Sequence, residues 1–300
     1  MQNALVLFGA GASHGSDLSG TPPLGNDLFG ALRRFNPQGW GQLSESLAQE
    51  FNTDFEAGMS LLAATASHNM PILQRAMAAY FFGFRPAFSS LYVQLARRVA
   101  RATWHGVISS LNYERLLELS ISASGLRPVV GRTASGGELE LCLPHGCCHL
   151  FCEGVRASAE GVFFSGVGVS FDGEVSVVDN PTEFSQRIVG DAVPPVMSYF
   201  EPKKTTSAGV SFIQGQRQRW AQAAGSADVL AIVGVRVRPT DEHIWNPIAE
   251  TSAKVVYCAG PSAGEEFRNW TARARPAADD VVLGGTFASE FESICRAIGA

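Results

Sequence analysis

Residues 4–24 read ALVLFGAGASHGSDLSGTPPL. The apolar run Ala4–Phe8 passes directly into Gly9-Ala10-Gly11-Ala12-Ser13. A buried parallel strand that ends in small residues presents backbone N–H groups at its carboxyl end, where a pyrophosphate can approach the main chain and the dipole of a following helix favours its charge. Glycine removes the side chains that would block that approach. The spacing meets the G-x-G-x-x-G fingerprint only loosely, since Ser13, His14 and Gly15 follow and more loop is expected through Pro22 and Pro23. Taken alone, the stretch also reads as a tight strand-to-helix turn without chemistry.

The chain of 300 residues is long enough for a substantial core. With 46% hydrophobic and 17% charged residues it reads as globular rather than disordered. A net charge of −5 and the absence of a Lys/Arg run argue against direct nucleic-acid binding. The opening MQNALVLF lacks a basic segment followed by a long apolar one, and no apolar stretch reaches membrane-spanning length, so a cytoplasmic protein is expected. In a reducing compartment the six cysteines, four of them crowded into 142–152, are expected as thiols rather than disulfides.

Leu24–Arg34 has a helical pattern, with Asn26 or Asp27 as candidate caps. Helical segments continue at 54–66, 72–83 and 87–103, punctuated by Pro71 and Pro86, so residues 25–103 read as a helical insertion between the first two strands of a sheet. The stripe at 88–103 fits either core or a homo-oligomer face. Strands follow at 105–111 and 138–143 with a helix at 114–122 between them. Residues 150–190, rich in Gly, Val, Phe and Ser with partial alternation, read as β-hairpins in a small lobe. Pro194–Glu201 reads as a strand with a loop after it, and a helix at 208–224 leads to the strand 228–233. A helix to Ser252, strands at 254–258 and 281–283, a helix at 263–272 and a closing helix from Ser289 complete the chain. Strands alternating with helices predict an α/β protein: a doubly wound, mainly parallel, Rossmann-like sheet in one domain spanning 1–300.

In such a sheet, ligands bind beyond the carboxyl ends of the strands. Gly9–Ser13, Asn112, His145 and Gly234 all fall there. The ordered set GAGAS, SLNYE, LPHG and VGV followed by PTDEH resembles the sirtuin-like superfamily of NAD-consuming enzymes. It is most similar to the bacterial branch that hydrolyses NAD, in which T-N-Y-D and L-H-G versions occur.

That resemblance implies a set of roles. Gly9, Ala10, Gly11, Ala12 and Ser13 would cradle the pyrophosphate. Asn112 would hold the nicotinamide ribose and position water, with His145 as general base or ribose ligand. Gly234 would admit the adenosine side, and Asp241 would fix its loop or touch a ribose. NAD is then a substrate, no metal is expected, and the reaction gives nicotinamide and ADP-ribose. The implied setting is bacterial anti-phage defence by NAD depletion, held silent by homo-oligomerisation or a regulatory partner. A protein deacylase or ADP-ribosyltransferase, and a non-catalytic module binding NAD or ADP-ribose, are the rival readings.

The sequence departs from the sirtuin pattern in places. No C-x-x-C pair exists, whereas sirtuin deacylases carry a zinc module with two. Glu114 stands where aspartate is commoner, PPVMSYFE lacks the glycine of F-G-E, and Val235-Arg236 replaces small hydroxyl residues. Bland roles also fit: Asn112 as a helix cap, His145 as a turn residue, His243 as a helix-start residue and Lys203-Lys204 as solvated surface. Cys142, His145, Cys147, Cys148, His149 and Cys152 form a tempting ligand cluster. Adjacent residues fit tetrahedral spacing poorly, so buried or redox-sensitive thiols are expected instead.

Overall fold

The computed structural model describes residues 2–18, 20–102, 104–153, 171–198 and 206–300. The chain forms a seven-stranded, wholly parallel sheet in the order β3-β4-β2-β1-β7-β8-β9. Its strands are β1 (Asn3–Phe8), β2 (His105–Ser110), β3 (Arg127–Val130), β4 (Glu138–Cys142), β7 (Val229–Val233), β8 (Lys254–Cys258) and β9 (Val281–Leu283). Side chains alternate across a strand, so each inner strand feeds two cores. From β1, Ala4, Val6 and Phe8 enter one buried cluster while Leu5 and Leu7 enter the other. Val229, Ala231 and Val233 against Leu230 and Ile232 repeat the division on β7. This is the doubly wound α/β architecture that the alternating pattern predicts.

The strand β1 lies between β2 and β7, and the chain leaves it first toward β2, returning later to β7 on the other side. The winding direction therefore reverses at the β1–β7 boundary, where an open α/β sheet has its ligand crevice.

Between β1 and β2 lie the helices α1 (Ala10–His14), α2 (Gly25–Phe35), α3 (Glu45–Thr53), α4 (Phe55–Thr65), α5 (Met70–Phe82) and α6 (Leu91–Arg101). The insertion has an aromatic centre of its own: Trp40 is buried against Phe29, Phe51 and Phe55 and donates its indole N–H to the Leu73 carbonyl at 3.1 Å. Neither Asn26 nor Asp27 caps α2, which starts one residue earlier at Gly25 with Leu24 as its cap residue. The α6 stripe is core, since Tyr92, Val93, Leu95, Ala96 and Val99 are all buried within this chain.

The second half adds α7 (Leu116–Ala123), α8 (Pro181–Gly190), α9 (Val210–Ser226), α10 (Glu242–Glu250), α11 (Pro261–Ala274) and α12 (Phe291–Ile298). The small lobe corrects the sequence expectation in part. The strands β5 (Leu150–Cys152) and β6 (Val175–Val177) do pair antiparallel, but 181–190 is a helix rather than a hairpin. Its signals are local: Asn180 accepts from the Thr182 and Glu183 N–H groups, and Pro181 occupies the first turn. The centre of the expected hairpins, 154–170, lies outside the described residues, as do Tyr199–Glu201 and Lys203-Lys204. The preceding Pro194–Ser198 is no strand, making only an isolated bridge from Met197 to Gly146. The strand β3 has no counterpart in the sequence pattern: it is a short edge strand containing Pro128, which weakens its signal. Phe82 of α5 stacks on Phe184 of α8 with ring centroids 3.7 Å apart, so the insertion and the lobe pack against each other.

Candidate functional site

The strand register aligns the expected site residues. Phe8 sits beside Ser110 on one side and Val233 on the other, and Ser109 pairs with Cys142. Gly9, Asn112, His145 and Gly234 thus all lie just past strand ends on one edge of the sheet.

The glycine loop meets the β7 end without a gap. Gly9 N–H donates to the Val233 carbonyl at 2.9 Å, and Gly11 N–H to the Gly234 carbonyl at 3.0 Å. A Cβ on Gly234, whose φ is +68°, would fall 2.0 Å from the Ala12 nitrogen. Side-chain-free positions on both loops are therefore a packing requirement at the switch point. The loop expected after Ser13 is in fact preceded by the short helix α1, which begins at Ala10 and carries Ser13 inward.

Ser13 anchors a buried polar knot. Its Oγ lies 2.9 Å from the Tyr92 hydroxyl, 2.8 Å from Nδ2 of Asn112 and 2.5 Å from Oε1 of Glu114. Asn112 and Tyr92 donate to the serine oxygen, and Ser13 donates to Glu114, which saturates one donor and two lone pairs. The second oxygen of Glu114 accepts the Leu116 N–H at 2.6 Å, at the start of α7. Burial pushes the Glu114 carboxyl up, opposed by the hydrogen bonds from Ser13, Leu116 and Asn112. Burial, then the charge of Glu114, pushes the Tyr92 hydroxyl well up. Asn112 is accordingly no helix cap: its amide nitrogen turns toward Ser13, while Arg115 precedes α7.

The second group surrounds His145. Its Nε2 lies 2.9 Å from Nε2 of His243, in the first turn of α10, and Tyr113 stacks near its ring. Both imidazoles stand in a polar wall. Tyr113 donates to the Ser198 carbonyl at 2.8 Å, and Ser198 N–H donates back to the His145 carbonyl at 2.8 Å. Burial raises the Tyr113 hydroxyl, with the charges of Asp241 and Glu56 adding to it and Arg217 opposing. Burial lowers the Arg217 guanidinium, partly offset by Tyr113 and Asp241. Asp241 is thus a neighbour of this group, buried at the head of α10.

His243, Tyr113, Tyr92 and Arg217 were not singled out as site residues from sequence. His243 is both a helix-start residue and the ring partner of His145. The PTDEH loop after β7 was the available signal. Arg238 of that loop pairs with Glu56 of α4 at 2.6 Å, tying the helical insertion to the crevice edge.

Of the cysteine–histidine cluster, Cys142 turns to the Gln216 carbonyl and His145 to His243. Cys147, Cys148 and His149 stay together, with ligand atoms within 4.8 Å of one another.

These features define a doubly wound, parallel α/β fold with its polar groups at the topological switch point. Solved structures that resemble it include Sir2 proteins. A Sir2 homologue crystallised with NAD matches with a TM-score of 0.53 and 14% identity, over 99% of this chain and 90% of its own. A Sir2 homologue mutant with ADP-ribose scores 0.48 at 14% identity, covering 99% of this chain and 92% of its own. A structure described for the mechanism and regulation of Sir2 enzymes scores 0.48 at 15% identity, with 99% and 92% coverage. No protein-family model matches the sequence, and no curated protein matches it closely. Among the described residues, no helix is long and apolar enough to cross a membrane.

Proposed function

We propose that this chain is an NAD glycohydrolase, cleaving the nicotinamide–ribose bond with water to give nicotinamide and ADP-ribose. The observation that carries the reading is the Asn112–Ser13–Glu114 knot at the switch point, one strand away from the His145–His243 pair. A Sir2 homologue of the same fold is known with NAD, which makes NAD the first ligand to test.

The reaction asks little of the protein beyond placement. Nicotinamide leaves as a neutral base while the ribose carbon gains oxocarbenium character, so positioning and water control dominate the barrier. Asn112 commits its amide nitrogen to Ser13, which leaves the amide carbonyl to orient the nicotinamide ribose or the attacking water. His145 takes the proton from water or holds the ribose hydroxyls, in a tautomer set by His243. The Gly9–Ser13 loop, with Ala10, Gly11 and Ala12, faces the pyrophosphate; Gly234 admits the adenosine side and Asp241 braces that edge. One domain over 1–300 holds all of these parts.

The lack of C-x-x-C pairs means these residues do not fit the deacylase zinc module, which favours water over an acyl-lysine as the acceptor. NAD depletion in anti-phage defence, restrained by self-association or a partner protein, is the physiological role proposed with it. Purified protein with NAD and no peptide should release nicotinamide and ADP-ribose in equal amounts. Consumption only with an acyl-peptide would replace the reading by deacylation, and tight NAD binding without turnover in both wild type and His145→Ala would leave a binding module.

A further inference from the structure

We propose that Cys147, Cys148 and His149 form a buried structural zinc site that locks the loop carrying His145 to the loop carrying Asn112. One ligand atom from each residue lies within 4.8 Å of the other two, and all three residues are buried. His149 Nδ1 is 3.2 Å from Cys147 Sγ. Zinc bound at about 2.3 Å by sulfur and about 2.0 Å by nitrogen separates its ligands by roughly 3.5 Å, so the groups need only small adjustments.

The objection to adjacent ligands comes from extended chain, where neighbouring side chains point to opposite faces. Here the chain is not extended. Gly146 has φ +75°, Cys148 and His149 occupy a turn, and Leu150 N–H closes back on the Cys147 carbonyl at 3.2 Å. The turn brings both sulfurs and the imidazole to one side.

A separate observation concerns the far side of the imidazole. His149 Nε2 lies 3.9 Å from Oε1 of Glu118, and that buried oxygen has no hydrogen-bond partner. A histidine that ligates through Nδ1 keeps its proton on Nε2, facing such a carboxylate. Metal-bound histidines use this outer arrangement to fix ring and tautomer. A thiol–imidazole hydrogen bond alone would account for Cys147 and His149 but leaves the Glu118 oxygen orphaned.

Charge favours a dication. Zn²⁺ binding expels the two thiol protons, and the metal with two thiolates and a neutral imidazole then adds no net charge to the buried cluster. The Tyr113 carbonyl oxygen, 3.2 Å from Cys147 Sγ and accepting the Cys148 N–H at 2.9 Å, stands beside the site for a fourth position. Cys147 Sγ also approaches the Glu114 carbonyl at 3.5 Å. The cluster therefore grips the main chain on the Asn112 side, and the metal would hold both candidate catalytic loops. It stands independently of the proposed reaction.

The test begins with the wild type, which needs no variant to fold. Desalted protein should carry about one zinc per chain by elemental analysis, and cobalt exchange should give intense thiolate-to-cobalt absorption in the near ultraviolet. Cys148→Ser and His149→Ala should lose the metal, whereas Cys295→Ser, a buried cysteine elsewhere, should retain it. Glu118→Gln should keep the site but lose affinity by about 10–100-fold in chelator competition. Metal-free wild type without a cobalt–thiolate band would overturn the site. So would metal retained by Cys148→Ser, or a Cys147–Cys148 disulfide in the native protein by mass.

Discussion

Nδ2 of Asn112 donates to Oγ of Ser13 across 2.8 Å, joining the end of β2 to the glycine loop after β1. Ninety-nine sequence positions separate the two residues, and the whole helical insertion lies between them. The bond makes the glycine loop and the asparagine one unit, because a saturated serine hydroxyl holds both in place.

Ser13→Ala tests that unit. It strips partners from Asn112, Tyr92 and Glu114 together, so stability should drop by about 1–3 kcal/mol in denaturant titration. NAD turnover should fall with Asn112 no longer oriented, even at saturating NAD. A variant with unchanged stability and rate would mean that Ser13 organises nothing.

Glu114→Gln addresses the buried carboxyl. Burial raises this group above its ordinary 4.5, so the folded chain keeps a proton that the unfolded chain loses. Its contribution is then fully present below about pH 4.5 and declines as pH rises toward the folded-state value. Denaturation midpoints should fall less steeply with pH for Glu114→Gln than for the wild type, the remaining slope coming from Glu118, which burial pushes up to about 8. Parallel profiles for the two proteins would refute the assignment.

Gly234→Ala probes the switch point. A side chain at φ +68° meets the Ala12 nitrogen, so the β1 and β7 ends must separate. We expect a cost of about 1–3 kcal/mol from the backbone conformation, with further loss from the contact. NAD affinity, read by calorimetry, should fall with it. Gly136→Ala, with open space around its Cβ position, is the control.

His145→Ala and His243→Gln separate chemistry from positioning. Loss of His145 should lower turnover by about 10²–10⁴-fold, the range for removing a general acid–base group. His243→Gln should be milder and should displace the pH–rate profile, since it alters only the partner at 2.9 Å. Equal losses with unshifted profiles would place both histidines in a purely structural role.

Much of the fold could be read along the chain because its signals are local. Val229–Val233 is apolar throughout, as a strand covered on both faces must be, and the glycines at 9, 11 and 234 mark where two loops touch. Signals were weakest where length and edge position diluted them, as in β3, or where a capped helix followed alternating residues, as in α8. Asn112 and His145 were legible as strand-end groups. Their partners were not: Tyr92 comes from the insertion and His243 from the far half of the sheet, and no spacing rule links them.

Apolar periodicity and glycine placement act over a few residues, so the alternation of strands and helices, and with it the row of groups at the strand ends, is written locally in the chain. Tertiary structure alone decided what each polar group faces. Glu114, an unassigned acid in the sequence, became the buried acceptor for Ser13, and three consecutive residues at 147–149 turned their ligand atoms to one side. Those outcomes depend on crossover order, loop closure and burial, in which a hydrogen-bond partner is set by position in space and not by distance along the chain.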